Sequence, residues 1–388
     1  MNVLYKGLIM VIFSLLFLSC SLTKENTTFL KPPKIIENPA AIEHYKVDKR
    51  RSCGIPSMAV SKEGRLWAVW YVGITDGKKV EDCPYSYIVV STSGDNGDTW
   101  EEVLVIDPDE VGPVRAFDPE VWFDPDGKLW VFWAQQVKPY RATTSGVWAI
   151  TTDDGGTANP RWSESRRLVD GVMMCKPTVL SNGDWALPVS FWHKPEASSM
   201  MVVSSNKGRK WKIKGAVRIP EESLDWDENM IFEKNDGSLS MWIRTTYGIG
   251  ESFSKDGGGT WSELQPSSIK HTTSRFFIRR LNSGNLLLVK HGPLDERTKR
   301  SHLMAFISQD DGNTWSNGLM LDEREGVTYP DGQQAEDGTI YITYDYSRSK
   351  EQHIVMTSFT EEDVLSENYD ANIYKVFRNR KLISDGGN

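Results

Sequence analysis

One pattern recurs along the chain: a turn containing glycine is followed by a short run of mainly apolar, β-prone residues. In the fourth copy two such runs flank the turn Asn235-Asp236-Gly237, and this arrangement predicts a β-hairpin. The turn glycines of the six copies are Gly64, Gly127, Gly183, Gly237, Gly284 and Gly338. Successive glycines are 47 to 63 residues apart, the length of a four-stranded propeller blade with its loops. The repeats therefore predict an all-β fold, a six-bladed β-propeller of four-stranded antiparallel blades.

A second repeat, S-x-D-x-G-x-T-W, lies later in most copies of the first. Intact versions begin at Ser93, Ser254 and Ser308, a degraded version begins at Ser204, and one with an insertion begins at Thr152. Asp and Ser side chains hydrogen-bond to nearby backbone, Gly accepts positive φ, and Trp packs between sheets. We therefore predict that these Asp-box turns are folding devices and that they take no direct part in catalysis.

The first part of the chain has the features of an export signal. An apolar run over residues 8–18 is too short for a membrane span and leads directly into polar sequence, so residues 1–20 are predicted to be a secretory signal. The run ends in a small residue before Cys20, which resembles a bacterial lipobox and makes Cys20 the expected lipidation site. An ordinary signal peptide that contains a cysteine is the alternative. We expect an exported outer-membrane or periplasmic lipoprotein, held to the membrane only by its lipid anchor, with a tether over residues 21–45 and the propeller over residues 46–388.

Composition narrows the classes of partner. The net charge of −8 argues against nucleic acid, whose protein partners usually present basic faces, and a hydrophobic content of 39% indicates a packed core. Besides Cys20, the cysteines are Cys53, Cys83 and Cys175, and neither they nor the six histidines show a metal-type spacing. We therefore expect no metal and no cofactor, while a single Cys53–Cys83 disulfide stays open.

Six positions at the predicted entries of the innermost strands carry complementary chemistry. They lie seven to ten residues before each turn glycine and are Gly54, Asp118, Lys176, Glu228, Arg275 and Tyr329. In a propeller such positions crowd around one end of the central channel, so their side chains are expected to converge on one small volume. The alternative is that innermost strands carry polar groups simply because a wet channel requires them.

These repeats identify a family resemblance. Over about residues 50–360 the chain resembles the bacterial sialidases (neuraminidases) of the Asp-box, or BNR-repeat, propeller superfamily, and also the exported sialidase-like proteins of glycan-degrading bacteria. The resemblance implies an exo-glycosidase that cleaves a terminal acidic sugar from a glycan. Sialidases use a tyrosine nucleophile with a glutamate partner, because the carboxylate of the substrate would repel an acidic nucleophile. Tyr329 and Glu228 occupy these two family positions.

The family also binds the substrate carboxylate with three arginines, whose planar forks match a carboxylate bidentately. Arg244 corresponds to the second family arginine and Arg300 to the third. The first belongs to a motif F-R-I-P, and this chain reads C-G-I-P over residues 53–56, so Gly54 stands in its place. The chain therefore departs from the family at a main contact with the substrate carboxylate.

Other positive charges can be considered as replacements for the missing arginine. Arg50 and Arg51 lie just upstream, while Lys176 and Arg275 belong to other blades and are predicted substrate-binding residues together with Asp118. The simpler interpretation is an altered substrate, such as a uronic acid or another sugar whose acidic group is placed differently.

The resemblance leaves the general acid open. The family places an aspartate about twelve residues before the first Asp-box serine, which corresponds here to Glu81 beside Asp82. Either can protonate a leaving oxygen if a partly apolar pocket raises its pKa, and a solvated loop is the alternative. His291 ends the fifth hairpin where Arg244 ends the fourth, and it is a reserve candidate for contacting the substrate as acid or base.

Two further functions stay open at this point. A propeller lyase or hydrolase acting on a uronic-acid-containing polysaccharide is favoured by Gly54 and by the spare bases Lys176, His291 and Tyr329. A non-catalytic glycan-binding protein is the other alternative. The presence of both Tyr329 and Glu228 argues against that last function.

Overall fold

The computed structural model describes residues 28–75, 83–110, 112–137, 145–192 and 199–386. The described strands form six antiparallel sheets that follow one another along the chain, and they confirm the predicted six-bladed β-propeller. Predictions that fall on residues 1–27, including the signal sequence and Cys20, lie outside the described residues.

Each turn glycine connects the innermost strand of its blade to the strand that pairs with it, as the sequence predicts. These six glycines take φ angles between +82° and +90°, a conformation that residues with a side chain rarely adopt. The strands of the first three blades are β1 (Lys34–Glu37), β2 (Ser52–Val60), β3 (Leu66–Gly73), β4 (Ser86–Ser93), β5 (Glu101–Asp107), β6 (Val114–Phe123), β7 (Leu129–Val137), β8 (Gly146–Thr152), β9 (Arg166–Asp170), β10 (Val172–Met173), β11 (Thr178–Val179), β12 (Trp185–Ser190), β13 (Ser199–Ser204) and β14 (Lys212–Val217). Those of the last three are β15 (Asn229–Glu233), β16 (Leu239–Thr245), β17 (Gly248–Ser254), β18 (Gln265–Pro266), β19 (Phe277–Arg280), β20 (Leu286–His291), β21 (Ser301–Ser308), β22 (Leu319–Glu325), β23 (Val327–Gln334), β24 (Ile340–Tyr346), β25 (His353–Phe359) and β26 (Lys381–Ser384).

The first blade has five strands, because β1 pairs with β5 at its outer edge. Strand β1 lies within the stretch that the sequence predicts as a tether, so the first sheet starts earlier than residue 46. The segment after β1 also packs on this blade. Tyr45 is buried, and its hydroxyl donates a hydrogen bond of 3.2 Å to Asp107.

The last blade contains two helices that the repeat pattern does not predict. The helices α1 (Glu361–Leu365) and α2 (Tyr369–Arg378) connect β25 to β26. A capping box formed by Thr360 and Asp363 begins α1, and buried Val376 packs α2 on the core of the blade. Both helices are short, so they leave little periodic signal in the sequence.

The Asp-box turns have the predicted geometry. In the fourth blade Ser254 Oγ accepts a 2.8 Å hydrogen bond from Gly258 N, and Asp256 Oδ1 accepts one of 2.9 Å from Thr260 N. The degraded box of the third blade keeps this pattern, because Asn206 Oδ1 replaces the carboxylate oxygen. In the first box, Trp100 packs against a cluster built from blades one and six. The boxes therefore join neighbouring blades at the rim.

The thiols of Cys53, Cys83 and Cys175 are buried and free, so the Cys53–Cys83 bridge is not formed. Among the described residues, no helix has both the length and the apolar character needed to cross a membrane.

Candidate active site

Residues from all six blades line one cavity of about 550 Å³, which places the cavity on the axis of the propeller. Of the predicted site residues, Asp118, Glu228, Arg300 and Tyr329 line it. The structure therefore brings together residues that are more than 200 positions apart in sequence. Three of the six predicted strand entries, Asp118, Glu228 and Tyr329, thus lie at one end of the channel.

Three innermost strands have a β-bulge beside the cavity. In β2, β6 and β23 the pairing register shifts at a residue that precedes proline, namely Ile55, Asp118 and Tyr329. All three take positive φ, between +47° and +55°. Such a bulge bends the strand and redirects one side chain. The backbone thereby directs Asp118 and Tyr329 into the cavity, at a conformational cost that the surrounding structure must offset.

Tyr329, Glu228 and Arg244 form the polar centre of the site. Glu228 stands just before β15 and Arg244 lies in β16, so the hairpin sets them opposite each other, with Arg244 N bonded to Glu228 O at 2.8 Å. Arg244 Nη1 donates to Glu228 Oε1 at 3.0 Å and to Tyr329 Oη at 3.2 Å. A single guanidinium nitrogen therefore connects the carboxylate and the phenol.

Only one of the two carboxylate oxygens of Glu228 is hydrogen-bonded among the described residues. Its Oε2 is buried and has no hydrogen-bond partner among the described residues. Arg244 is held from its other side by Asp225, whose Oδ2 lies 2.7 Å from Nε. Two carboxylates, Glu228 and Asp225, therefore pair with Arg244. They raise its pKa above the usual value for arginine, so the side chain stays positively charged.

Three further guanidinium groups surround the ring of Tyr329. The Cζ atoms of Arg348, Arg275 and Arg300 lie 4.9, 5.3 and 5.5 Å from the ring centroid. Burial and the charge of Glu228 raise the pKa of the Tyr329 phenol, while Arg244, Arg348 and Arg300 oppose that rise. The Tyr329 phenol therefore carries its proton at neutral pH.

The opposite wall of the cavity is aromatic. Tyr71, Phe117, Trp192 and Trp226 line it, and the rings of Trp192 and Trp226 meet edge to face at 5.2 Å. Arg115 Cζ lies 4.4 Å from the ring centroid of Phe117. Aromatic faces can stack on the apolar face of a sugar, whereas the arginine side can take its anionic group.

Two of the predicted substrate-binding residues lie below the cavity, in a buried ion network. Lys176 Nζ lies 2.7 Å from Asp331 and 3.8 Å from Glu120, and Arg275 Nη1 lies 3.1 Å from Glu120. None of these four side chains lines the cavity. Opposite charges that are fully withdrawn from water must pair with each other, which explains their place inside the channel.

His291 is also placed away from the cavity. It is fully buried, its Nε2 lies 2.8 Å from Val327 O, and its ring stacks on that of His271 at 5.4 Å. Burial lowers the pKa of His291 to about 3, so the imidazole is neutral. Arg50, considered above as a replacement charge, is bound to Glu102 at 2.5 Å and does not reach the cavity.

Glu81 and Asp82, the predicted general acids, lie outside the described residues. The sequence reasoning missed Arg115 and Lys350, which line the cavity, and it also missed Arg348, which follows β24 and lines the cavity as well. No local motif marks it, because its significance comes from contacts with Tyr329 and Gly54, the latter on the first blade.

The fold and the cavity define the class of protein, a sialidase-like BNR-repeat β-propeller. The chain belongs to the family described as BNR repeat-like domain, which it matches over residues 88–342. A comparison with curated proteins found no match.

Several solved structures share this fold. A Hadza microbial sialidase is 21% identical, with a TM-score of 0.66 over 82% of this chain and 68% of that one. The intramolecular trans-sialidase from Ruminococcus gnavus, in complex with oseltamivir carboxylate, is 14% identical, with a TM-score of 0.62 over 82% of this chain and 96% of that one. A protein of unknown function from Dyadobacter fermentans is 17% identical, with a TM-score of 0.62 over 78% and 92% of the two chains. At these identities the likeness concerns the fold.

Proposed function

We propose that the protein is an exo-acting glycosidase that cleaves a terminal acidic sugar from a glycan, with Tyr329 as nucleophile. The observation that carries this proposal is the contact of Arg244 Nη1 with both Tyr329 Oη and Glu228 Oε1. A nucleophile, a base and a positive charge thus meet at the wall of one cavity. The sialidase-like fold and the resemblance of these positions to the family motifs support it.

In the proposed first step, Glu228 accepts the phenolic proton while Tyr329 Oη attacks the anomeric carbon. The glycosidic bond breaks, and its oxygen leaves with a proton from a general acid. Arg244 stabilises the negative charge on the tyrosine oxygen because it donates to it directly. In the second step water attacks the same carbon and gives one proton to the conjugate base of the general acid, the bond to Tyr329 Oη breaks, and the phenolic proton returns from Glu228 to Tyr329.

Asp118 is a second carboxylate in the cavity lining and a third candidate for the general acid beside Glu81 and Asp82, which lie outside the described residues. The backbone of Asp118 has a positive φ of +47°, which directs the side chain into the cavity. We assign to Asp118 a contact with the sugar or its leaving oxygen. The acid must be near the leaving oxygen in a productive complex, so leaving-group dependence separates the three candidates.

The test is digestion of a glycan panel that includes sialyllactoses and oligosaccharides ending in glucuronic acid, with products identified by mass spectrometry. Because Gly54 replaces the family arginine, simple sialosides should be poor substrates. Tyr329→Phe and Glu228→Gln should each lower kcat/KM by at least about a hundredfold while the circular dichroism spectrum stays unchanged.

Full activity of Tyr329→Phe would contradict the covalent mechanism. An unsaturated sugar among the products would instead identify a lyase. Arg244→Ala should raise KM as well as lower kcat, since its charge acts on both the bound substrate and the transition state.

A further inference from the structure

The position of Gly54 is filled by another residue of the chain. The φ of Gly54 is not in the left-handed region, so the backbone itself does not require glycine there. A Cβ atom built on Gly54 would lie 2.4 Å from Arg348 Cδ and 2.8 Å from Arg348 Cγ. Real side chains do not approach so closely. The stem of Arg348 therefore takes the volume that a side chain at position 54 would need.

The stem of Arg348 is fixed in this place. Its Nε lies 3.9 Å from Asp345 Oδ2, and the same oxygen accepts a 2.8 Å hydrogen bond from Ile55 N. Asp345 is also hydrogen-bonded to the hydroxyl of Thr328. Arg348 thus leaves the sixth blade, crosses to the first blade beside Gly54, and presents its guanidinium at the cavity.

The arginines around Tyr329 differ in their ion pairs, and Arg348 is paired with Asp345 at 3.9 Å. Arg244 is neutralised by Asp225 and Glu228. Among the described residues, no carboxylate lies within ion-pairing distance of Arg300, whose Nη2 donates to Thr273 O at 3.1 Å. The guanidinium groups of Arg300 and Arg348 lie 5.5 and 4.9 Å from the same ring centroid. Two positive groups therefore flank the ring of the proposed nucleophile.

We propose that Arg348 supplies the substrate-carboxylate contact that Gly54 cannot make, and that a sugar carboxylate is bound between Arg300 and Arg348. This inference rests on the proposed function, whose substrate class it narrows to sugars with a free carboxylate. It makes Arg348 and Gly54 a matched pair, since a side chain at position 54 would displace the stem of Arg348 from its present place.

The experiment measures binding of two acidic sugars, N-acetylneuraminic acid and glucuronic acid, each against its methyl ester, by calorimetry. The wild-type protein should prefer one acid over its ester. Arg348→Gln should lower that preference at least about tenfold, because one arm of the carboxylate clamp is lost. Lys299→Gln removes the same charge from an exposed site beside the cavity and should leave the preference unchanged.

The pairing of the two positions gives a second test. Gly54→Arg alone should displace Arg348 and weaken the preference for the acid. The double variant Gly54→Arg with Arg348→Ala removes the clashing Cγ and Cδ atoms and should restore the preference to within about threefold of wild type.

The outcomes separate this inference from the proposed function. If Arg348→Gln keeps the wild-type preference while Arg300→Gln loses it, Arg348 has no part in binding, yet the acidic-sugar function stands. If the wild-type protein prefers neither acid over its ester, both proposals fail.

Discussion

Replacement of Arg275 by methionine should destabilise the fold strongly, even though Arg275 does not line the cavity. Its guanidinium is 1% exposed and supports several blades at once. Nη1 donates to Glu120 Oε1 at 3.1 Å and to Met174 O, while Nη2 donates to Pro56 O at 3.0 Å and to Tyr329 O at 3.2 Å. Methionine fills much of the volume but makes none of these contacts.

The magnitude follows from what remains after the substitution. Removing one partner of a buried ion pair costs about 3–5 kcal/mol, since the other charge stays buried. Lys176 lies 3.8 Å from Glu120 and offsets part of this loss. Each buried carbonyl left without a donor costs about 1–3 kcal/mol more. We therefore expect Arg275→Met to lower the free energy of unfolding by more than about 5 kcal/mol, a large fraction of the stability of an ordinary domain.

Urea unfolding followed by tryptophan fluorescence measures this change, since the chain contains 15 tryptophans. Arg279→Met is the matched control, because Arg279 also lies in the channel but donates one hydrogen bond, of 2.7 Å, to Pro177 O. It should lose clearly less stability than Arg275→Met. If Arg275→Met does not fold, Arg275→Lys, which keeps the charge and loses the fork, should still show an intermediate loss. An equal effect of the Arg275 and Arg279 variants would refute the reasoning.

Three other predictions address pH, the Asp-boxes and export. Burial raises the pKa of Asp227 to about 7, above its ordinary 3.8, so the folded state holds a proton that the unfolded state releases in this window. The free energy of unfolding should therefore fall as pH rises from about 4 to about 7. Asp227→Asn should reduce this fall by about 4 kcal/mol. The control Asp337→Asn, in an exposed turn, should leave the pH dependence unchanged. Asp256→Ala should lower the urea midpoint and Asp256→Asn should change it little, since Asn206 makes the same bonds in its own box; equal losses would contradict this. Cys20→Ala should move the protein out of the membrane fraction, and unchanged membrane association would contradict lipidation at Cys20.

The architecture could be predicted because its determinants are local. A turn glycine such as Gly237 needs positive φ, and an Asp-box such as that at Ser254 closes its turn with its own side chains. Both requirements are visible in a few consecutive residues, and both recur once in most blades. The added strand β1 could not be predicted in this way, since it pairs with β5 and carries no repeat signal of its own.

The site could be predicted only in part. The repeat shows that the starts of the innermost strands lie close together, but it does not show whether each side chain points into the cavity or into the channel. The bulges before proline direct Asp118 and Tyr329 into the cavity. Lys176 and Arg275 instead point into the channel, where Lys176 pairs with Asp331 and Arg275 pairs with Glu120. An Xaa-Pro step is present at each of these bulges, but it does not separate the two groups, because Lys176 also precedes a proline, Pro177. The contact of Arg348 with the first blade had no local signal, because it joins opposite ends of the propeller sequence.

The buried ion network explains why fold closure and site formation depend on each other. Asp331 of the last blade accepts hydrogen bonds from Ser57 Oγ at 2.8 Å and from Met58 N at 3.1 Å, both on the first blade. These bonds close the ring, and they lie directly after the bulges that direct Ile55 and Tyr329. The bulge at Tyr329 costs conformational energy, and the bonds from Asp331 to the first blade, two residues further on, help to offset it. The proposed nucleophile can therefore reach its position only in the closed propeller, which is why binding of an acidic sugar and global stability should be lost together when this network is weakened.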